Sequence, residues 1–269
     1  MLASGKPKKQ NVWVLLRGLA REQGHWEDFN KFFEEELNSK LGPTKVICID
    51  LPGVGEYRKI PSPLSMGGIS EFVRSQYLLK VKDIEIDKAY IFALSLGGMV
   101  ATEWMYRYPE DFSGGVLVNT SFSKVSKIWE RLTPKAIKAL TSAAKAQSLF
   151  ERERIVLDIT SQNKSNHSEI AKKWEQLAIR RPIDPQTVLR QLVAASRFRP
   201  KKQPPQKPVL ILNSAGDELV NPQSSVNIGR YWGYNIHRHP SAGHDLTFDA
   251  PGWASEQVIE WLNLLAGNP

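Results

Sequence analysis

The chain has 269 residues, a length that fits one large domain or one domain carrying an insertion. With 41% hydrophobic and 24% charged residues, the composition is that of a globular protein and argues against wholesale disorder. A single cysteine excludes an intramolecular disulfide and a cysteine-built zinc or iron–sulfur site, while a net charge of +8 raises the question of an anionic partner.

In chain order, residues 1–10 hold no apolar stretch that could serve as a signal peptide. No apolar run reaches about 18 residues, so a cytoplasmic location without a transmembrane segment is expected. Val12-Trp13-Val14-Leu15-Leu16 is a short, continuous apolar run, as expected of a strand buried on both faces. Residues 26–41 follow a helical period, with Phe29, Phe32, Phe33 and Leu37 on one side. A second strand is expected over 46–49 and a helix over 69–81. A third strand covers 90–94, followed by a helix over 96–108 that stops before Pro109. Further strands are expected over 116–118 and 209–212, a weaker sixth over 235–239, and a last helix over 254–265. Strand and helix alternate, which argues for a mostly parallel sheet of about six strands with helices on both faces, an α/β fold.

The stretch from 122 to 207 breaks this rhythm. It holds 19 Lys and Arg against 7 Asp and Glu, a net of +12, which leaves −4 for the rest of the chain. It has helical patterns and no convincing strand. Thr133-Pro134 and Asp184-Pro185 each pair an N-cap residue with proline at the first helical position. Ser168-Glu169-Ile170 opens another helix, and about four are expected in all. The run from Pro200 to Pro208 reads as an extended linker back into the body. The organisation expected is a core domain of residues 1–121 and 208–269 interrupted by an all-helical insertion of 122–207.

Ala93-Leu94-Ser95-Leu96-Gly97-Gly98 lies where a buried strand gives way to a helix. A serine on such a turn holds its hydroxyl above the sheet, and small residues two positions to either side let strand and helix approach. Here those positions are Ala93 and Gly97. Taken alone, Ser95 would also fit a helix N-cap. A serine nucleophile needs a base, and the base needs an orienting group. Asp217 follows the fifth strand, and His244 stands just before the last helix. Each alone reads as a turn or surface residue, but the order Ser, Asp, His on strand–helix units is informative.

With these residues the chain resembles the α/β-hydrolase fold family over nearly its whole length. The resemblance includes Leu15-Leu16-Arg17-Gly18-Leu19 after the first strand and Asp50-Leu51-Pro52-Gly53-Val54-Gly55. It also includes the serine turn, Gly216-Asp217-Glu218-Leu219-Val220 and Gly243-His244-Asp245. It implies Ser95 as nucleophile, His244 as general base and then acid, and Asp217 as the carboxylate that orients the histidine. The backbone N–H groups of Leu19 and Leu96 would hold the oxyanion. Arg17 stands where the family often has histidine. It either anchors its loop by hydrogen bonds or meets an anionic substrate group. Few residues precede the first strand, so the extra hairpin of many members is expected to be missing.

The resemblance makes the 122–207 insertion a lid over Ser95. Ile128, Trp129, Leu132, Ile137 and Leu140 are candidate pocket residues from its first half. Trp174, Leu177, Val188, Leu192 and Phe198 are those from its second, with Trp129 and Trp174 foremost. The basic residues, densest at Lys172-Lys173, Arg180-Arg181 and Lys201-Lys202, read as a solvated surface, as a dock for an acidic carrier protein or a coenzyme A thioester, or as a contact for an anionic membrane. No nucleic-acid recognition motif accompanies them. The function expected is a serine hydrolase of a carboxylic ester, needing neither metal nor cofactor. Thioester cleavage on a carrier, carbon–carbon bond hydrolysis, and a non-catalytic ligand-binding relative are the alternatives.

Overall fold

The structure, a computed structural model, describes residues 9–267. Residues 1–8, most of the stretch read for a targeting signal, lie outside the described residues, as do 268–269. Among the described residues six strands form one sheet in the order β2-β1-β3-β4-β5-β6. They are β1 Gln10–Leu16, β2 Thr44–Cys48, β3 Ile86–Leu94, β4 Gly114–Val118, β5 Val209–Ser214 and β6 Ile236–His239. Every neighbouring pair is parallel.

Both faces of the sheet are covered, which explains the continuous apolar runs. Along β1, Val12, Val14 and Leu16 enter one core and Trp13 and Leu15 the other. The first core takes α2 (Met66–Val81), α3 (Leu96–Arg107) and α9 (Gln223–Trp232). The second takes α1 (Phe29–Leu41), the short α10 (Leu246–Asp249) and α11 (Pro251–Leu265), with Trp13 stacked on Tyr90 at 4.8 Å and edge-on to Phe33 at 5.2 Å.

Between β4 and β5 come five helices rather than about four: α4 (Ile128–Arg131), α5 (Pro134–Ala144), α6 (Leu149–Thr160), α7 (His167–Arg180) and α8 (Pro185–Arg197). The expected caps form. The Thr133 side chain accepts from the Ala136 amide at 3.0 Å, and Asp184 accepts from Gln186 at 2.8 Å. The basic insertion sits on the acidic body and exchanges ion pairs with it. Arg181 meets Glu22 at 2.7 Å, Lys207 meets Glu110 at 3.1 Å and Glu153 accepts Arg21 at 2.6 Å. Among the described residues no helix is long and apolar enough to cross a membrane.

Two sequence expectations shift. The helix read from Trp26 starts at Phe29, because a 3-10 turn, Gln23–Trp26, is followed by Glu27 at φ 48°, which no α-helix admits. Helix α9 escaped the sequence reading because Ser224, Ser225 and Gly229 fill much of its buried side, so its apolar period is faint.

Candidate active site

The strand order reverses between β1 and β3, and the loops leaving their carboxyl ends part there, the crevice where open α/β sheets bind ligands. Ser95 sits in that crevice. It is the single residue between β3 and α3, at φ 58° and ψ −118°. Positive φ in a non-glycine residue is strained, and the surroundings hold it. The Ser95 amide donates to Val118 O at 2.8 Å, and its carbonyl accepts the Thr120 hydroxyl at 2.7 Å. Gly97 has to be glycine, since a Cβ there would stand 2.6 Å from Leu16 O and 2.7 Å from Arg17 O. Gly18 passes close over the turn from the other side, its would-be Cβ 3.1 Å from Ser95 Cβ.

The loop after β5 carries Asp217, and the loop after β6 carries His244. Gly216 N–H donates to Ala242 O at 3.0 Å and ties the two loops together. Asp217 Oδ1 accepts the amides of Leu219 and Val220, both at 2.9 Å, which fixes the carboxylate. Its Oδ2 lies 2.7 Å from His244 Nδ1, with both side chains buried. This partner assigns the proton to Nδ1 and leaves Nε2 as the acceptor. Ser95 and His244 line one mostly apolar cavity of about 340 Å³. The Ser95 hydroxyl makes no hydrogen bond to His244 in this state; His244 bonds Asp217 alone through its ring. Such bonds are often made only when substrate is present. Leu19 and Leu96 also line the cavity. Among the described residues neither amide is taken by another protein group: Leu96 is the first residue of α3, and the loop bonds around Leu19 run through Ala20 and Arg21 instead.

Arg17 takes the anchoring role of the two open to it. Its guanidinium grips Asp245 with two hydrogen bonds, 3.0 and 2.6 Å, and lies 4.7 Å over the Trp26 ring. Burial by itself would raise the Asp245 carboxyl. The Arg17 charge and hydrogen bonds outweigh it and hold the group below the usual carboxylate range. The pair joins the loop of Leu19 to the loop of His244.

Of the two tryptophans, Trp174 lines the cavity and is 1% exposed. Its Nε1–H donates to Glu27 at 2.6 Å, and Arg21 stacks over its ring at 4.6 Å. Trp129 does not reach the cavity. It is 58% exposed, and on this short helix Arg131, with the edge of the largely exposed Ile128, borders the cavity instead. Leu132, Leu140 and Leu192 line the cavity as expected. Ile137 is exposed, and Phe198 packs instead against Phe122 at 5.5 Å.

Two residues near the site escaped the sequence reading. Asn119, after β4, donates to His244 O at 2.8 Å and to Ser214 Oγ at 2.9 Å, which braces the histidine loop on β5. Gln191, buried in α8, accepts the Ala20 amide at 3.0 Å and so supports the loop of Leu19. A polar residue on the buried side of an amphipathic helix was the only available signal for it.

The family profile described as serine aminopeptidase, S33, matches residues 44–251. No curated protein sequence matches the chain. Among solved structures, 2-hydroxy-6-oxo-6-phenylhexa-2,4-dienoate hydrolase from Rhodococcus sp. strain RHA1 superposes with a TM-score of 0.72 at 19% identity, over 95% of this chain and 91% of that one. The enol-lactonase from Burkholderia xenovorans gives 0.70 at 17%, over 95% and 92%. A thermophilic esterase from Thermogutta terrifontis gives 0.67 at 19%, over 96% and 90%. At these identities the likeness is one of fold. The profile spans well over half of the chain, and the chain belongs to the serine aminopeptidase S33 family of α/β-hydrolase fold proteins.

Proposed function

We propose that this hydrolase cleaves carboxylic esters through an acyl-enzyme on Ser95. The buried Asp217–His244 pair, 2.7 Å apart and opening on the same cavity as a strained Ser95, is the observation that carries the reading. As Ser95 Oγ attacks the ester carbonyl carbon, its proton passes to His244 Nε2. Asp217 keeps the imidazole in the required tautomer and stabilises the imidazolium. The carbonyl oxygen becomes an oxyanion held by the Leu19 and Leu96 amides, each donor of this kind contributing about 2.7–4 kcal/mol. Collapse expels the alcohol, which takes the proton from His244. A water then repeats the sequence on the acyl-enzyme and releases the acid. The helices of residues 122–207 act as the lid, supplying Trp174, Leu140 and Leu192 to the acyl pocket.

The cavity charges argue against an aminopeptidase substrate. A free amino terminus needs an unpaired carboxylate, and the one acidic residue lining the cavity, Asp245, is held by Arg17. A fluorophosphonate probe should label the wild type and not Ser95→Ala. p-Nitrophenyl esters should be turned over by the first alone. A wild type that neither labels nor hydrolyses any ester or thioester refutes the reading.

A further inference from the structure

Three arginines line the cavity: Arg17, Arg21 and Arg131. Two are neutralised, Arg17 by Asp245 and Arg21 by Glu153. Arg131 is not. Among the described residues no carboxylate pairs with it. Its Nη2 donates to Ala195 O at 2.9 Å, its Nε reaches Ser121 Oγ at only 3.5 Å, and its Nη1 has no protein partner. The charged group acting on it is the like-charged Arg199. Burial, with Arg199 behind it, pushes the Arg131 pKa below the ordinary arginine value, so the fold bears a cost to keep this cation here. Ser121 and Ser196, both lining the cavity, make its surroundings the polar end of a mostly apolar chamber.

The position is specific. Arg131 Nη2 lies 4.0 Å from Met99 Sδ, and Met99 is four residues beyond Ser95 on α3. Met99 therefore stands about one helical turn, about 6 Å of axis, beyond Ser95, and the guanidinium that touches its side chain shares the cavity with the nucleophile. A planar guanidinium with free donors suits a carboxylate or a phosphoryl group, and at the end of a mostly apolar chamber a carboxylate carried on an acyl chain is the fit that also fills the chamber.

We propose that Arg131 is a specificity residue that receives a carboxylate on the acyl part of the substrate, making the preferred substrates half-esters or half-thioesters of short dicarboxylic acids. The word acyl rests on the Ser95 reading, whereas the anion site does not. A substrate of this kind fills the apolar chamber with its methylenes and neutralises the uncompensated cation at its end.

The test compares the mono-p-nitrophenyl esters of glutaric and adipic acids with the same esters whose far carboxyl is a primary amide. Wild type should favour the acids by about tenfold or more in kcat/KM. Arg131→Gln should reduce that ratio at least tenfold, and Arg131→Lys should restore part of it. Binding is read separately by titrating glutarate and adipate into Ser95→Ala and into Ser95→Ala/Arg131→Gln. Dicarboxylate binding in the first and its loss in the second supports the anion site even if no ester is turned over, so failure of the esterase reading stays distinguishable. Equal preference for acid and amide in the wild type overturns the proposal, whether or not Arg131→Gln folds. So does dicarboxylate binding unchanged by Arg131→Gln. Tighter binding of inorganic phosphate or a phosphonate than of either dicarboxylate would reassign the site to phosphoryl groups and overturn the carboxylate.

Discussion

Asp245→Asn should destabilise the protein more than any neighbouring polar exchange. Arg17 and Asp245 are 4% and 2% exposed, and two hydrogen bonds of 3.0 and 2.6 Å join them. Unit charges about 4 Å apart at an effective dielectric near 20 attract by about 4 kcal/mol. Asparagine removes that attraction and leaves a buried cation, a change that costs about 3–5 kcal/mol. For a chain of this size each kcal/mol is about 2–4 °C, so the melting temperature should fall by about 10 °C. Differential scanning calorimetry on Asp245→Asn, Arg17→Met and Arg17→Met/Asp245→Leu measures the coupling, and the double variant should lose less than the two singles together. The acid limb gives a second readout. The folded-state pKa of Asp245 is depressed, so its contribution is complete above the unfolded value of about 3.9 and is lost as pH falls through the folded value. Asp245→Asn should therefore flatten the stability loss below about pH 4. Because the pair joins the loops of Leu19 and His244, kcat should fall more than KM rises. A melting temperature within about 2 °C of wild type, or strict additivity of the single losses, would refute the reasoning.

The other predictions are briefer. Gln191→Met removes the acceptor of the Ala20 amide, so the neighbouring Leu19 amide loses its fixed aim; kcat on p-nitrophenyl esters should drop about tenfold with KM little moved, and an unchanged kcat would relieve Gln191 of this role. Asp50 is pushed up to about 6 by burial, against the pull of two backbone amides. Its folded form holds the proton more tightly, so its contribution to stability is full below about pH 4 and is lost as pH rises through about 6. Urea midpoints of wild type minus Asp50→Asn, taken from pH 4 to 7, should decline across that window, and a flat difference would contradict it.

Part of the charge contrast between insertion and body is spent inside the fold. A basic insertion on an acidic body looks in sequence like a docking surface. In the fold, Arg181 spends its charge on Glu22 and Lys207 on Glu110, and the body returns Arg21 to Glu153. Lys172 and Arg180 remain exposed. The cation that matters for chemistry is one of the least conspicuous in sequence, since Arg131 belongs to none of the dense basic pairs.

What the sequence determined by itself is what local physics controls. Strands buried on both faces must be apolar at nearly every position, so the central strands stand out as runs, even short β4, while β6 at the sheet edge, Ile236–His239, is only half-buried and faint in sequence. Thr133-Pro134 and Asp184-Pro185 cap helices through backbone amides two or three residues away. Gly97 is legible because the close approach of β1 leaves no room for a side chain. Tertiary structure decided what depends on partners far along the chain. Arg17 meets Asp245 across 228 positions, and no local pattern could choose between an anchor and a substrate contact. Whether Trp129 or Arg131 faces the cavity turns on the rotation of a four-residue helix, too short for a hydrophobic period to set its phase. Ionic neutrality of a buried group is a property of its surroundings in space. Only the fold shows which of the arginines in the crevice is left to meet a ligand.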